Sequence, residues 1–118
     1  MFDHVGLHVL DLQASVRLYA SLLAHFQASI TYQDDNTVGF TAPNGQALYL
    51  IRSKDPGAAH VALAANSRAA VDAFYRDAIK RGGRDNGAPG LRPGYGPTYY
   101  AAFIVDADGD NVEAVFNK

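Results

Sequence analysis

The sequence contains no cysteine and no long hydrophobic run. The missing cysteine excludes disulfides, thiolate metal sites and cysteine nucleophiles, so any metal must be bound by histidine and carboxylate side chains. No apolar stretch reaches about 18 residues, the length that suggests a membrane-spanning helix, and we expect no membrane partner. The first residues show no basic segment followed by an apolar one, which argues against a secretory signal. We therefore expect a cytoplasmic protein.

The sequence also lacks a large excess of positive or negative charge. Ten Lys and Arg stand against twelve Asp and Glu, the formal net charge is −2, and the basic residues are scattered. Nucleic-acid-binding domains usually carry a basic stripe, so nucleic acid is not expected as a partner. With 118 residues, of which 48% are hydrophobic, the chain has the size and composition of one ordinary globular domain.

Hydrophobic spacing in the first half predicts a strand, a helix and three strands. Apolar residues alternate with others over 2–9, where Val5 and Leu7 lie opposite His4, and they recur at helical spacing over 12–23. Short strands separated by turn residues are predicted at 28–33, 37–42 and 46–52.

The second half restarts the same pattern. A strand begins at His60, and a helix is predicted over 68–81, ended by the glycines that follow it. Residues 84–98 contain four glycines and three prolines, and we predict a long loop there. Strands follow at 99–105 and 111–116. The acidic segment between them lacks the further ligands of an EF-hand calcium loop, so it is predicted to be an ordinary turn.

The two halves also align residue by residue. A shift of 56 positions places His4 on His60, and a shift of 64 positions later in the chain places Tyr49 on Glu113. A unit of this size cannot bury the apolar face of its sheet alone, and pairing two units meets that need. The sequence therefore predicts an α+β fold in which paired βαβββ modules form a curved mixed-sheet cleft. The predicted single domain covers the whole chain, with an internal repeat of 2–53 and 58–117.

This symmetry brings candidate metal ligands to equivalent strand positions. If both sheets curl around one cleft, His4, His60, Tyr49 and Glu113 could meet in it. Two imidazoles and one carboxylate suit Zn, Fe(II), Mn or Ni and leave positions for water or substrate. The alternative is that both histidines are ordinary polar residues at strand ends and that Glu113 faces solvent.

Three segments follow a family pattern: Asp-His-Val-Gly-Leu-His-Val at 3–9, His-Val-Ala-Leu at 60–63, and Asp-Ala-Asp-Gly-Asp-Asn-Val-Glu at 106–113. In order and spacing they resemble the vicinal oxygen chelate superfamily of glyoxalases, dioxygenases, fosfomycin-modifying enzymes and bleomycin-sequestering proteins. The resemblance implies paired βαβββ modules, a homodimer, and a small-molecule substrate whose vicinal oxygens chelate a divalent metal. It also implies the metal ligands, which would be His4, His60 and Glu113.

Several activities fit this resemblance. Glyoxalase I members have a fourth ligand, a carboxylate on the strand that corresponds to 47–52, and that segment has no acidic residue here. A three-ligand site is more similar to the dioxygenases and fosfomycin enzymes. We expect a divalent-metal-dependent enzyme of lyase, isomerase or dioxygenase type, in which Glu113 or a metal-activated water also moves a proton. The alternatives are a metal-free small-molecule-binding or drug-sequestering protein of bleomycin-resistance type, and a degenerate member with a structural role.

Four residues are candidate substrate contacts: Tyr49, Arg92, Tyr99 and Tyr100. Arg92 would bind a carboxylate or phosphate group, and its alternative is a solvated surface charge. Tyr49 is a core aromatic, a hydrogen-bond donor to substrate or a phenolate metal ligand. Tyr99 and Tyr100 point to opposite faces of one strand, so only one of them can face the cleft.

Overall fold

The structure, a computed structural model, describes residues 2–118. It consists of two compact units, the first ending at Gly57 and the second beginning at Ala58. Each unit has its own sheet and its own helix. No helix within residues 2–118 is long and apolar enough to cross a membrane.

The first unit is a mixed four-stranded sheet with one helix. Its helix begins after Asp11, whose side chain accepts a hydrogen bond from the backbone N–H of Ala14 at 3.0 Å and so caps the first turn. The strand order is β1-β4-β3-β2, with β1 and β4 parallel and the other neighbours antiparallel. The elements are β1 (His4–Val9), α1 (Leu12–Ala24), β2 (Ser29–Gln33), β3 (Thr37–Thr41) and β4 (Ala47–Arg52).

Alternation along these strands separates a core face from an open face. The helix packs on β3 and β4, and alternate residues of β1, β3 and β4 are buried with it: Leu7, Val9, Val38, Phe40, Leu48 and Leu50 from the sheet, and Tyr19, Leu22 and Leu23 from α1. The intervening residues of β1, which include His4, therefore lie on the other face of the sheet.

The second unit repeats this arrangement. Ser67 caps its helix by accepting from the backbone N–H of Ala70 at 3.0 Å. The strand order is β5-β8-β7-β6, again with the first pair parallel and the rest antiparallel. The elements are β5 (His60–Ala64), α2 (Arg68–Lys80), β6 (Arg84–Leu91), β7 (Tyr99–Val105) and β8 (Asn111–Asn117). Its core contains Val71, Phe74, Ala78, Ala102, Ile104, Val112 and Ala114.

The predicted α+β class and the βαβββ module are confirmed. Both helices have 13 residues, and both sheets are mixed with the same connectivity. In the first unit His4 pairs with Ala47, and in the second His60 pairs with Asn111. The shifts of 56 and 64 positions thus relate residues at corresponding places in the two sheets.

The predicted loop over 84–98 is wrong in its first half, because β6 occupies Arg84–Leu91. This strand lies at the edge of the sheet and pairs with β7 alone. An edge strand tolerates Pro89, and the register shifts around Gly87 and before Gly90 absorb the irregular backbone. Glycine and proline here mark bulges in a strand, whereas the composition had indicated a loop.

Candidate metal and substrate site

Glu113 is a buried carboxylate on the open face of the second sheet. It lies on β8, in register with Ala62 of β5 and Phe103 of β7, and it is only 3% exposed. Its neighbours Val112 and Ala114 are fully buried and belong to the core on the α2 side. Alternation therefore directs Glu113 to the face away from the helix. The alternative of a solvent-facing glutamate does not fit this burial.

Two side chains contact this carboxylate. His60 Nε2 lies 3.2 Å from Glu113 Oε1, and the Tyr99 hydroxyl donates a short hydrogen bond to Oε2. Burying an unpaired carboxylate costs several kcal/mol, so these partners explain how Glu113 is accommodated in the fold. The His60 side chain is itself 52% exposed. The buried Glu113 carboxylate is therefore in contact with an imidazole that is accessible to solvent.

Tyr99 is held as a neutral phenol. Burial, followed by its hydrogen bond to Glu113 and the charge of that carboxylate, raises the pKa of Tyr99 to about 12. Its ring also packs edge-on against Tyr95, with the ring centroids 5.2 Å apart. At neutral pH Tyr99 therefore keeps its proton and acts as a donor toward the glutamate.

A cavity of about 590 Å³ opens beside this cluster in the second unit. Phe103 pairs directly with Glu113, and Asn111 precedes it by two residues, so both cavity residues share the face of Glu113. The lining residues are Asn86, Gly87, Arg92, Pro93, Gly94, Tyr95, Phe103 and Asn111. Aromatic rings, two amides and one guanidinium can together bind a small molecule that has apolar and polar parts.

Arg92 is fixed at this cavity by its surroundings. Its guanidinium donates to the carbonyl oxygen of Ala88 at 2.7 Å and lies 5.4 Å from the centroid of the Phe103 ring. A Cβ atom added at Gly87 or Gly90 would approach guanidinium nitrogens to 3.1 and 3.2 Å. The two glycines therefore leave the space that the arginine head occupies.

In the first unit, His4 and Tyr49 are neighbours. Their rings meet edge to face with centroids 5.6 Å apart, and His4 Nδ1 lies 2.9 Å from the Asp3 carboxylate. The His4 side chain is 59% exposed. A Cβ at Gly39 would fall 2.5 Å from the Tyr49 ring, so glycine at this position of β3 lets the tyrosine lie flat across the strand.

Tyr100 occupies the opposite face from Tyr99. It donates to Asp72 of α2 at 2.6 Å, and the Arg68 guanidinium lies 5.0 Å from its ring centroid. The hydrogen bond to Asp72 raises the pKa of Tyr100. The structure gives Tyr100 a helix contact where the sequence predicted a substrate contact, and the alternation of side chains along β7 is the reason.

Two of the proposed donors have a spacing that suits one metal ion. Two ligand atoms bound to one Zn-sized ion at about 2.1 Å lie roughly 3.0 to 3.4 Å apart, and His60 Nε2 and Glu113 Oε1 are 3.2 Å apart. His60 and Glu113 are brought together as expected. His4 belongs to the other unit, and its participation in a common site remains a prediction.

Sequence reasoning missed two features of the second unit. The first is the hydrogen bond between Tyr99 and Glu113, which lie on neighbouring strands but 14 positions apart. Strand alternation offered a signal, since it places both residues on one face. The second is the cavity wall formed by Asn86 and Gly87, which lie in the segment predicted to be a loop.

The turn between β7 and β8 contains three carboxylates that lie close together. Ligand oxygens of Asp106, Asp108 and Asp110 are within 4.8 Å of one another, and Asp110 is fully buried. Burial, followed by the charge of Asp106, raises the pKa of Asp110 to about 6. The predicted turn is present, with Gly109 at a φ of +87°, but its burial was not foreseen.

Comparison with known proteins finds solved structures that share this fold. Neither a family model nor a curated protein sequence matches the chain. A glyoxalase/bleomycin resistance protein from Albidiferax ferrireducens superposes with a TM-score of 0.87 at 24% identity, covering 100% of this chain and 99% of that one. A glyoxalase/bleomycin resistance protein/dioxygenase family enzyme from Burkholderia phytofirmans has a TM-score of 0.77 at 15% identity, covering 98% of each chain.

A third similar structure is the fosfomycin resistance protein FosX from Mesorhizobium loti. It has a TM-score of 0.73 at 16% identity and covers 100% of this chain and 92% of that one. At these identities the likeness concerns the fold. The chain therefore has the fold of the glyoxalase/bleomycin resistance protein/dioxygenase structures, as its resemblance to the vicinal oxygen chelate superfamily implied.

Proposed function

We propose that this chain is a divalent-metal-dependent enzyme of lyase, isomerase or dioxygenase type that acts on a small substrate with vicinal oxygens. The observation that carries the proposal is the buried Glu113 carboxylate, in contact with the exposed imidazole of His60 and beside an open cavity. In this proposal His4 completes the ligand set, and the ion is Zn, Fe(II), Mn or Ni.

Each side chain has a distinct task in this proposal. A bound metal would supply Lewis-acid polarisation of the substrate oxygens. Tyr99 holds its proton at the phenolic oxygen and orients the Glu113 carboxylate through their hydrogen bond. In this proposal Glu113 would also accept a proton from bound substrate, as a carboxylate within reach of the cavity can.

The cavity of the second unit is the proposed substrate site. The Arg92 guanidinium would bind an anionic group such as a carboxylate or phosphate. Tyr95 and Phe103 provide apolar contact area at the same cavity. In the first unit, Tyr49 is the proposed substrate contact beside His4. We further propose that the enzyme is located in the cytoplasm and is a homodimer. Sedimentation equilibrium would test the dimer.

A second function is favoured by one specific observation. Glu113 has a neighbour at each oxygen, the Tyr99 hydroxyl at Oε2 and the His60 imidazole at Oε1, and a protonated His60 could neutralise it without an ion. That arrangement suits a metal-free protein that binds or sequesters a small aromatic molecule, as in bleomycin resistance. The cavity lined by Tyr95, Phe103 and Arg92 would serve this function equally well.

Metal content distinguishes the two functions. Protein purified without chelator and loaded with Zn, Fe(II), Mn or Ni is analysed by mass spectrometry, with His60→Ala and Glu113→Gln as variants and His8→Ala as a matched control from β1. The enzyme proposal expects about one equivalent of a transition metal in the wild type and the control, lost in both site variants. Absence of metal from the loaded wild type would contradict it and favour metal-free binding.

A further inference from the structure

We propose that Asp106, Asp108 and Asp110 form a second cation site, which binds a hard divalent cation such as Ca²⁺ in the turn between β7 and β8. The site is distinct from the proposed His60 and Glu113 ligands, and its chemistry differs from theirs. Its donors are carboxylate oxygens, the ligands that Ca²⁺ prefers over nitrogen.

The spacing of the three residues brings their side chains together. They alternate along five positions, and Gly109, at a φ of +87°, lets the chain turn back between the second and the third. Their ligand oxygens lie within 4.8 Å of one another. Oxygens on opposite sides of one Ca²⁺ ion, each at about 2.3 to 2.6 Å, are separated by about that distance.

Hydrogen bonds within the turn fix two of the carboxylates. Asp106 Oδ1 accepts from the backbone N–H groups of Asp108 and Asp110, both at 2.9 Å. Asp110 Oδ1 accepts from the backbone N–H of Ala59 at 2.8 Å. The positions of these carboxylates are therefore set before any cation arrives, which lowers the ordering cost of binding.

A separate observation also points to a cation at this turn. Asp110 is 0% exposed, and its Oδ2 atom finds no hydrogen-bond donor among residues 2–118. The same carboxyl group lies beside that of Asp106. A buried, unpaired carboxylate oxygen next to a second carboxylate is costly. A cation bound between them would satisfy that oxygen and offset the repulsion at once.

The location of the turn suggests what such a cation would do. Ala59, which donates to Asp110, also accepts from the backbone N–H of Asn111 at 2.8 Å. The next residue, His60, begins β5 and pairs with Asn111 at the start of β8. The cation would therefore hold together the ends of the two strands that present His60 and Glu113.

Thermal unfolding of protein stripped with EDTA and then dialysed tests this site. Titration with CaCl2 up to about 10 mM is expected to raise the Tm by about 5 to 10 °C, as for a site with a Kd near 10⁻⁴ to 10⁻³ M. Equal ionic strength from NaCl should not reproduce the rise. Asp110→Asn and Asp108→Asn should each abolish it, whereas Asp55→Asn, at an exposed acid of the first unit, should keep it.

Further variants distinguish this site from the proposed catalytic one. Glu113→Gln should keep the Ca²⁺ response, and Asp110→Asn should keep the transition metal bound at His60 and Glu113. Asp108→Asn provides a second test if Asp110→Asn fails to fold. No rise in the wild type, the same rise in the folded aspartate variants, or a rise lost in Glu113→Gln would each overturn the proposal.

Discussion

Tyr99 donates a hydrogen bond to the buried Glu113 carboxylate, and removal of the Tyr99 hydroxyl tests how much this bond stabilises the fold. Tyr99→Phe removes the hydroxyl and leaves one oxygen of the buried Glu113 without its donor. We expect the free energy of unfolding, measured by urea denaturation at pH 7, to fall by about 1 to 3 kcal/mol. Tyr95→Phe is the matched control, because its hydroxyl has no role in the proposal. Equal losses in the two variants would contradict this role.

Asp110 should make the metal-free protein less stable as the pH rises. Its pKa is about 6 in the folded protein and 3.8 in the unfolded chain. Between these values the folded state binds more protons, so stability is greater below pH 4 and is lost as the pH rises through 6. The loss is about 1 to 3 kcal/mol.

This pH dependence can be isolated with an isosteric variant. In EDTA, Asp110→Asn should flatten the stability profile between pH 4 and 7 and raise the Tm at pH 7 relative to the wild type. Urea denaturation across that range gives the measurement. Parallel profiles for wild type and variant would show that another group causes the dependence.

At the scale of an element, β6 depends on glycine for its shape. Gly87 has a φ of +147°, and a Cβ there would lie 3.0 Å from the Phe103 ring and 3.1 Å from the Arg92 guanidinium. We expect Gly87→Ala to lower the free energy of unfolding by about 2 to 4 kcal/mol, since strain and steric conflict add. Gly94→Ala is the control, because its Cβ would meet no atom of residues 2–118 within 4 Å. A loss no greater than that of Gly94→Ala would refute the role of Gly87.

The elements differ in how far the sequence could predict them. Both helices were predictable because Asp11 and Ser67 cap them and their apolar residues recur at helical spacing. Strands with alternating or continuous apolar residues, such as β7, were predictable as well. The edge strand β6 was not predictable. Its bulges depend on pairing with β7, and the amino-acid composition of the segment does not reveal which strand it pairs with.

At the scale of the whole molecule, the repeat explains why part of the site was predictable. Two shifts relate the halves, and they place His60 on the first strand and Glu113 on the last strand of the second unit. The structure adds that these strands, β5 and β8, are neighbours and that the two side chains are in contact. The role of Tyr99 was underestimated, since its bond to Glu113 depends on the register of β7 against β8. The burial of Asp110 could not be predicted from the sequence either, because the solvent exposure of a turn depends on which residues pack around it.

The last prediction concerns both units at once. If one metal site draws a ligand from each unit, His4→Ala in the first should remove bound metal as completely as His60→Ala in the second. His8→Ala is the control, because His8 shares the strand and sheet face of His4 two positions further along. Mass spectrometry of metal-loaded protein should give about one equivalent for the control and less than about a tenth of that for both ligand variants. Full metal content in His4→Ala would confine the site to the second unit, where His60, Glu113 and water would have to complete the coordination.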